Sequence, residues 1–208
     1  MLNEIDKNTV KTPWNKGKII GQKHPLKASE VWSIRTILKQ SGNKRDLALF
    51  NLAIDSKLRG CDLISLKRGD ISHSNKVLAR ATVMQHKTGT PVKFEITEKT
   101  RDSLMDWFDE AEIGYNDYIF KSRIRRSTHI TTRTYARIVQ GWVDSIGLDE
   151  ADYGTHSMRR TKVSLLYKMR GNLREIQILL GHKKIESTVH YLGITVEDAL
   201  ESSEHLEL

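Results

Sequence analysis

Cysteine is almost absent from this 208-residue chain, and that scarcity alone removes several structural options. A single cysteine, Cys61, can close no internal disulfide and build no Cys-rich zinc site. Its expected place is that of a small buried side chain in a protein of the reducing cytosol. Also lacking is any apolar run long enough for a membrane span. The opening segment, MLNEIDKNTVKTPWNKGKII, scatters charges where a signal peptide would have its apolar core. The histidines are dispersed, and no carboxylate cluster or H-E-x-x-H pattern offers a divalent ion its ligands. No internal repeat or low-complexity tract is found. These absences lead us to expect a soluble, cytoplasmic protein with no membrane partner, no metal and no other cofactor.

What the chain has in excess is positive charge. Lysine plus arginine number 34 against 26 aspartates and glutamates, a formal charge of +8. Such a balance favours a polyanionic partner, nucleic acid first, although many soluble proteins are basic and charge alone decides nothing. The length suits one good core with room for a small appendage.

Along the chain, residues 1–26 hold Lys7, Lys11, Lys16, Lys18 and Lys23 among Pro13, Gly17, Gly21 and Pro25, without periodicity. They read as a flexible basic arm, able to track phosphates or simply to lead into the fold. Ser29 is the expected cap of a first helix, whose apolar positions Val31, Ile34, Ile37 and Leu38 run until Gly42. A second helix is expected from Lys44 to Asp55, with Leu47, Phe50 and Ile54 inward, and a short third one follows Arg59 through Leu63 and Leu66. Between Lys76 and Thr97, β-branched residues flank Lys87-Thr88-Gly89-Thr90, which predicts a β-hairpin with Lys87 at its tip. Leu104, Trp107, Phe108 and Ala111 mark another helix, and Tyr118, Ile119 and Phe120 a short extended stretch. Tyr135, Ile138, Val139, Trp142, Val143 and Ile146 form the clearest helical stripe, its aromatics expected in the core, ending at Gly147. Three more helices follow near His156–Met169, Asn172–Leu180 and Ile185–Tyr191, separated by Gly171 and Gly181. The fold class is therefore mainly α with a small antiparallel β-sheet or hairpin.

The reactive side chains gather in the last third. His156 and Arg159, in THSMRRT, share one helix face and can point at the same anion, although H-x-x-R alone is a common surface pair. In LLGHKKIESTVHYL, His182 follows a glycine break, and Tyr191 could either cap a core or keep its hydroxyl free as a nucleophile.

Taken together, these segments resemble the tyrosine recombinase (phage integrase) family from about residue 25 to Tyr191. The stretch RDLALFNLAIDSKLRGCDLISLKRGDI is similar to the family's opening block, with Arg59 in place of its first catalytic arginine. The KTGT hairpin puts Lys87 in place of the catalytic lysine. His156, Arg159, His182 and Tyr191 fall on the histidine, second arginine, second histidine and nucleophilic tyrosine. Asp62 stands where relatives often carry glutamate, and keeps a carboxylate for a supporting role.

The resemblance implies a catalytic domain over 27–194, preceded by the arm of 1–26 and followed by an acidic tail, 195–208, that could dock on a neighbouring protomer or fray. It implies site-specific recombination of double-stranded DNA through a 3′-phosphotyrosyl intermediate, by a homo-oligomer, in the family a tetramer on paired sites, without ATP or metal. It places the protein in the cytoplasm with the nucleoid. Chemistry supports the residue types. Guanidiniums bind non-bridging phosphate oxygens bidentately and stay charged, as a clamp of Arg59 and Arg159 requires. A tyrosine with a pKa of about 10 needs a field and a proton acceptor, for which His156 is the candidate. The departing 5′ oxygen needs an acid, which Lys87 suits. His182 is expected to donate to a phosphate oxygen or to orient the tyrosine helix, and Arg160, His190, Lys183 and Lys184 to be solvated or phosphate-positioning. Relatives commonly carry an N-terminal helical domain, so the chain is expected to be a fragment or a minimal recombinase with weak, salt-sensitive DNA binding. Two alternatives stand beside this reading: DNA relaxation in the manner of a type IB topoisomerase, and a non-catalytic DNA-binding regulator, for which a terminal tyrosine has no use.

Overall fold

The computed structural model describes residues 22–123, 127–194, 200 and 203–204. The tail beyond 194, read above as able to dock on a neighbouring protomer, lies almost wholly outside the described residues, and residues 1–21 of the basic arm lie wholly outside them.

The fold is organised around one buried helix. Helix α1 (Ala28–Gln40) precedes α2 (Lys44–Ser56), and α2 is enclosed on nearly every side: Leu49, Phe50, Leu52, Ala53 and Ile54 are buried, but so are Asn51, Asp55 and Ser56. Helices α1, α5 (Glu98–Glu110) and α7 (Thr155–Arg170) pack against it. A helix buried all round exchanges the usual amphipathic stripe for polar contacts that must be satisfied internally. Asn51 does so by accepting from Arg35 Nε at 2.8 Å and donating to Ser103 Oγ at 3.0 Å.

Asp55 anchors a second polar knot. It accepts from the Thr97 backbone N–H and from the hydroxyls of Thr97 and Thr100, and pairs with Lys162 at 2.7 Å. Lys162 also reaches Glu95, and Glu95 in turn receives the buried Lys57 ammonium at 2.7 Å. Lys57 closes α2 in the left-handed region, at φ 56°, a conformation costly for a residue with a Cβ. Its ion pair and its bond to the Asp55 carbonyl hold it there.

Beyond α2 the chain forms two short helices, α3 (Gly60–Ile64) and α4 (Arg68–Ile71), and two separate two-stranded ribbons. Strands β1 (Ser72–His73) and β2 (Lys76–Val77) pair with each other, so the β pattern starting at Lys76 is shared between two hairpins instead of belonging to one. The larger ribbon pairs β3 (Arg80–Met84) with β4 (Pro91–Glu95), Arg80 opposite Glu95 and Met84 opposite Pro91. Its buried face carries Ala81, Val92 and Phe94, the alternation expected of a one-sided ribbon. Gly89, at φ 60°, lets the tip turn, with its N–H donating to the Gln85 carbonyl at 2.8 Å.

The extended stretch at Tyr118–Phe120 is tied by bonds from Ile119 N–H to Leu66 O and from Ile130 N–H to Phe120 O. Helix α6 (Thr132–Asp144) buries Tyr135, Val139, Trp142 and Val143, and Trp142 meets Phe50 edge-on at 5.2 Å, so its aromatics are core. Helices α8 (Leu173–Leu180) and α9 (Ile185–Leu192) pack with α7 around a second, smaller cluster of Val163, Ile176 and Leu180.

Three local expectations change. Helix α1 begins at Ala28 after Lys27, because the Glu30 carboxylate accepts from the Lys27 backbone N–H at 2.7 Å and does the capping that Ser29 was expected to do. Cys61 is exposed, since α3 turns its inward positions over to Asp62, Leu63 and Ile64. Residues 22–26, assigned to the arm, are tied to the fold: Leu26 is buried and its N–H donates to Thr161 Oγ1, while His24 N–H donates to the Asp152 carbonyl.

Candidate active site

Where the large core meets the small C-terminal cluster, α3, the β3–β4 turn, α7 and the α8–α9 corner bring cationic side chains together. Arg59, in extended conformation just before α3, is half-buried and donates from Nη1 to Gln85 Oε1 at 2.6 Å. Arg159, in the first turns of α7, is only 3% exposed and donates from Nη2 to the Leu180 carbonyl at 2.9 Å. Its Nε is buried without a partner among the described residues. Neither arginine has a carboxylate partner among the described residues; the nearby Asp62 spends one oxygen on His86, accepting from its backbone N–H at 2.9 Å and meeting its ring Nδ1 at 2.8 Å. Burial is the foremost influence on Arg159 and works against its charge, and like-charged Arg59 adds to it. Two guanidiniums left with spare N–H groups and no directly paired carboxylate among the described residues form a site that an anion would stabilise.

Helix α9 sets Tyr191 against this cluster. Its ring lies 5.7 Å from the Arg159 guanidinium and 5.4 Å from that of Arg160, with the His182 ring edge-on at 5.4 Å. The hydroxyl is buried and has no hydrogen-bond partner among the described residues. Burial pushes it up to about 12, against the opposing pull of Arg159, Arg160 and Arg59. The phenol thus sits in a positive field yet is covered: desolvation disfavours its anion more than the cations favour it.

His182, just past the left-handed Gly181, is pushed down to about 4 by burial and then by Arg159 and Arg59. It is neutral at pH 7, with Nδ1 3.1 Å from Thr188 Oγ1. His156, in the first turn of α7, keeps an exposed ring whose pKa is lowered by partial desolvation and then by Arg159, Arg160, Arg59 and Lys87. A neutral imidazole surrounded by cations is a competent proton acceptor near pH 7. Lys87 is exposed on the β3–β4 turn, anchored below by the Asp62–His86 contact.

Gly181 is required by close approach as well as by its φ of 66°. A Cβ there would stand 2.5 Å from Val92 Cγ2, so a side chain would drive the α8–α9 corner off β4. That corner carries the Leu180 carbonyl that Arg159 uses.

Every candidate side chain is thus brought to one region, but one neighbour departs from expectation. Arg160 is buried, not solvated: it donates to the Lys23 carbonyl at 2.7 Å and to Gln22 Oε1 at 2.8 Å, while Gln22 Nε2 donates to the His190 carbonyl at 2.7 Å. It straps the entering chain across α7 and α9. Lys183, Lys184 and His190 are exposed. Gln85 went unremarked in the sequence. It continues the inward phase of Ala81 and Val83, and a polar residue at an inward strand position was the signal available.

The model of the phage integrase family matches residues 25–197. A Bacillus subtilis (strain 168) protein described as "probable integrase/recombinase YoeC" is 30% identical over 152 residues, covering 73% of this chain and 79% of its own. A tyrosine recombinase of Pseudothermotoga lettingae is 26% identical over 77% of this chain, which spans only 53% of that relative. Among solved structures, the XerA recombinase superposes with a TM-score of 0.72 at 20% identity, over 90% of this chain and 67% of that one.

Proposed function

The chain belongs to the phage integrase family, and from that membership we propose that it is a tyrosine recombinase catalytic domain that cuts and rejoins double-stranded DNA. The observation that carries this reading is the pair of guanidiniums, Arg59 and Arg159, presented without carboxylate partners among the described residues, beside a buried tyrosine hydroxyl.

In the proposed reaction the two arginines hold the non-bridging oxygens of one backbone phosphate, and their charge offsets what gathers there as phosphorus becomes five-coordinate. Tyr191 Oη attacks phosphorus and gives its proton to His156. The P–O5′ bond breaks, and the departing 5′ oxygen takes a proton from Lys87. The product is a 3′-phosphotyrosyl ester and a free 5′ hydroxyl. Attack by a 5′ hydroxyl reverses each step, so no external energy source enters. His182, neutral and edge-on to the tyrosine ring, donates to a phosphate oxygen from Nε2 when Thr188 donates to Nδ1. Because the Tyr191 hydroxyl is covered, DNA must move α9 enough to expose it. Recombination then requires copies of the chain on paired sites, and the protein acts in the cytoplasm, where the nucleoid is.

Covalent trapping tests the proposal. Wild type and Tyr191→Phe are incubated with labelled, nicked suicide duplexes made from DNA flanking the gene and run on denaturing gels. A protease-sensitive, slowly migrating band with wild type alone is expected. Equal footprints from both proteins without any band would refute cleavage.

A further inference from the structure

Gln85 links three segments around the proposed phosphate site: the stretch before α3, the β3–β4 turn and the end of α8. Its Oε1 accepts from Arg59 Nη1 at 2.6 Å and from Thr88 Oγ1 at 2.8 Å, so one oxygen ties the first arginine to the turn that bears Lys87. Its Nε2 lies 3.5 Å from the Leu180 carbonyl, a long contact, and that same carbonyl accepts from Arg159 Nη2 at 2.9 Å. The side chain is 1% exposed, so these contacts are made away from competing water. A neutral amide has a further advantage here. A carboxylate at this position would satisfy Arg59 fully and compete with phosphate for it, whereas an amide oxygen orients the guanidinium and leaves its charge uncompensated.

We propose that Gln85 is a positioning residue that sets Arg59, the Lys87 turn and, through the Leu180 carbonyl, Arg159 in register on one phosphate. This inference rests on the phosphoryl-transfer reading above. Gln85 itself touches neither DNA nor the reacting atoms. Its contribution is the alignment of groups that do, and small misplacements of such groups cost ~10- to 100-fold in rate.

The test is single-turnover formation of the covalent adduct on a suicide duplex, measured beside DNA affinity and melting temperature, with the full chain. Gln85→Met fills the same volume without hydrogen bonds. It is expected to slow adduct formation ~10-fold or more, with the dissociation constant for DNA within about 2-fold of wild type and the melting temperature nearly unchanged. Thr88→Val, on the exposed turn where it does not threaten the core, is expected to slow the step by about 3-fold. In an Arg59→Lys background, Gln85→Met should cost markedly less than in wild type, since residues acting through one another are not additive. Wild-type rates in both single variants would overturn the proposal, as would losses of melting temperature and affinity that match the loss of rate. Absence of an adduct even with wild-type protein would instead remove the phosphoryl-transfer reading, and Gln85's role with it.

Discussion

Arg159 shows how a single side chain can be unfavourable for the free protein and favourable for the proposed phosphate binding. A buried guanidinium with an unpartnered Nε costs stability that a phosphate would return on binding. Arg159→Ala should lower the cleavage rate by roughly a hundredfold or more, about 3 kcal/mol of barrier, as measured by adduct formation. His156 carries a pH signature. Its pKa is held below the ordinary 6.5, so it is neutral at pH 7 and becomes protonated only as the pH falls past that value. Adduct formation should therefore be level through neutrality and decline below pH 6.5; an acid limb that persists in His156→Ala would assign the proton to another group. Lys87 is tested by changing the leaving group. Lys87→Ala should cleave an ordinary phosphodiester about a hundredfold more slowly or worse, yet approach wild type on a duplex with sulfur as the 5′ bridging atom, because a thiolate leaves without a proton. Continued slowness on the sulfur substrate would reject Lys87 as the acid. The residue types at these positions were legible in the chain. Their environments were not: nothing in the order of residues shows that Tyr191 Oη is covered, or that Arg160 faces Gln22 and Lys23 instead of solvent.

At the scale of elements, the ionic knot of Asp55, Lys57, Glu95 and Lys162 joins the end of α2 to β4 and α7, the elements that lead to Arg59, to the Lys87 turn and onward from Arg159. Burial alone would raise the Asp55 and Glu95 carboxyls, but the two ammoniums and the hydroxyl donors outweigh it and hold both below their ordinary values of 3.8 and 4.5. A depressed carboxyl contributes stability above its unfolded pKa and loses it as the pH falls. The knot should be at full strength above about pH 5 and weaken below 4.5. Asp55→Ala should cost ~3 kcal/mol near neutrality by removing one of the two carboxylates that Lys162 pairs with and stranding the Thr97 and Thr100 donors, and the gap to wild type should narrow in denaturant titrations below pH 4. A gap that stays constant down to pH 3 would mean the charges are not what matters. This knot was hard to see in advance, because its members are scattered in sequence and each reads singly as a surface charge. The helices around it were easier, since their apolar stripes repeat every three to four residues. The hairpin boundary failed for a local reason: Val77 and Ala81 both fit a strand, and only their pairing partners separate two ribbons from one.

For the molecule as a whole, the excess of cations is the property that reaches furthest. DNA affinity should fall steeply with salt, each neutralised phosphate adding about −0.9 to the logarithmic slope, and Arg59→Ala should reduce that slope by about 1. A salt-independent affinity would contradict phosphate binding altogether. Charge balance, helix periodicity, the hairpin motif and the order of arginine, lysine, histidine and tyrosine are all local or additive properties, so the sequence by itself determined the fold class and the family and named the candidate reactive groups. Tertiary structure decided what those groups experience. It buried Arg159 and the Tyr191 hydroxyl, exposed Cys61, made Gln85 a common partner of distant elements, and turned isolated charges into the Asp55 knot. The physical reason is that burial and pairing depend on which segments meet across the core, and desolvation and partner geometry, unlike composition, exist only once they have met.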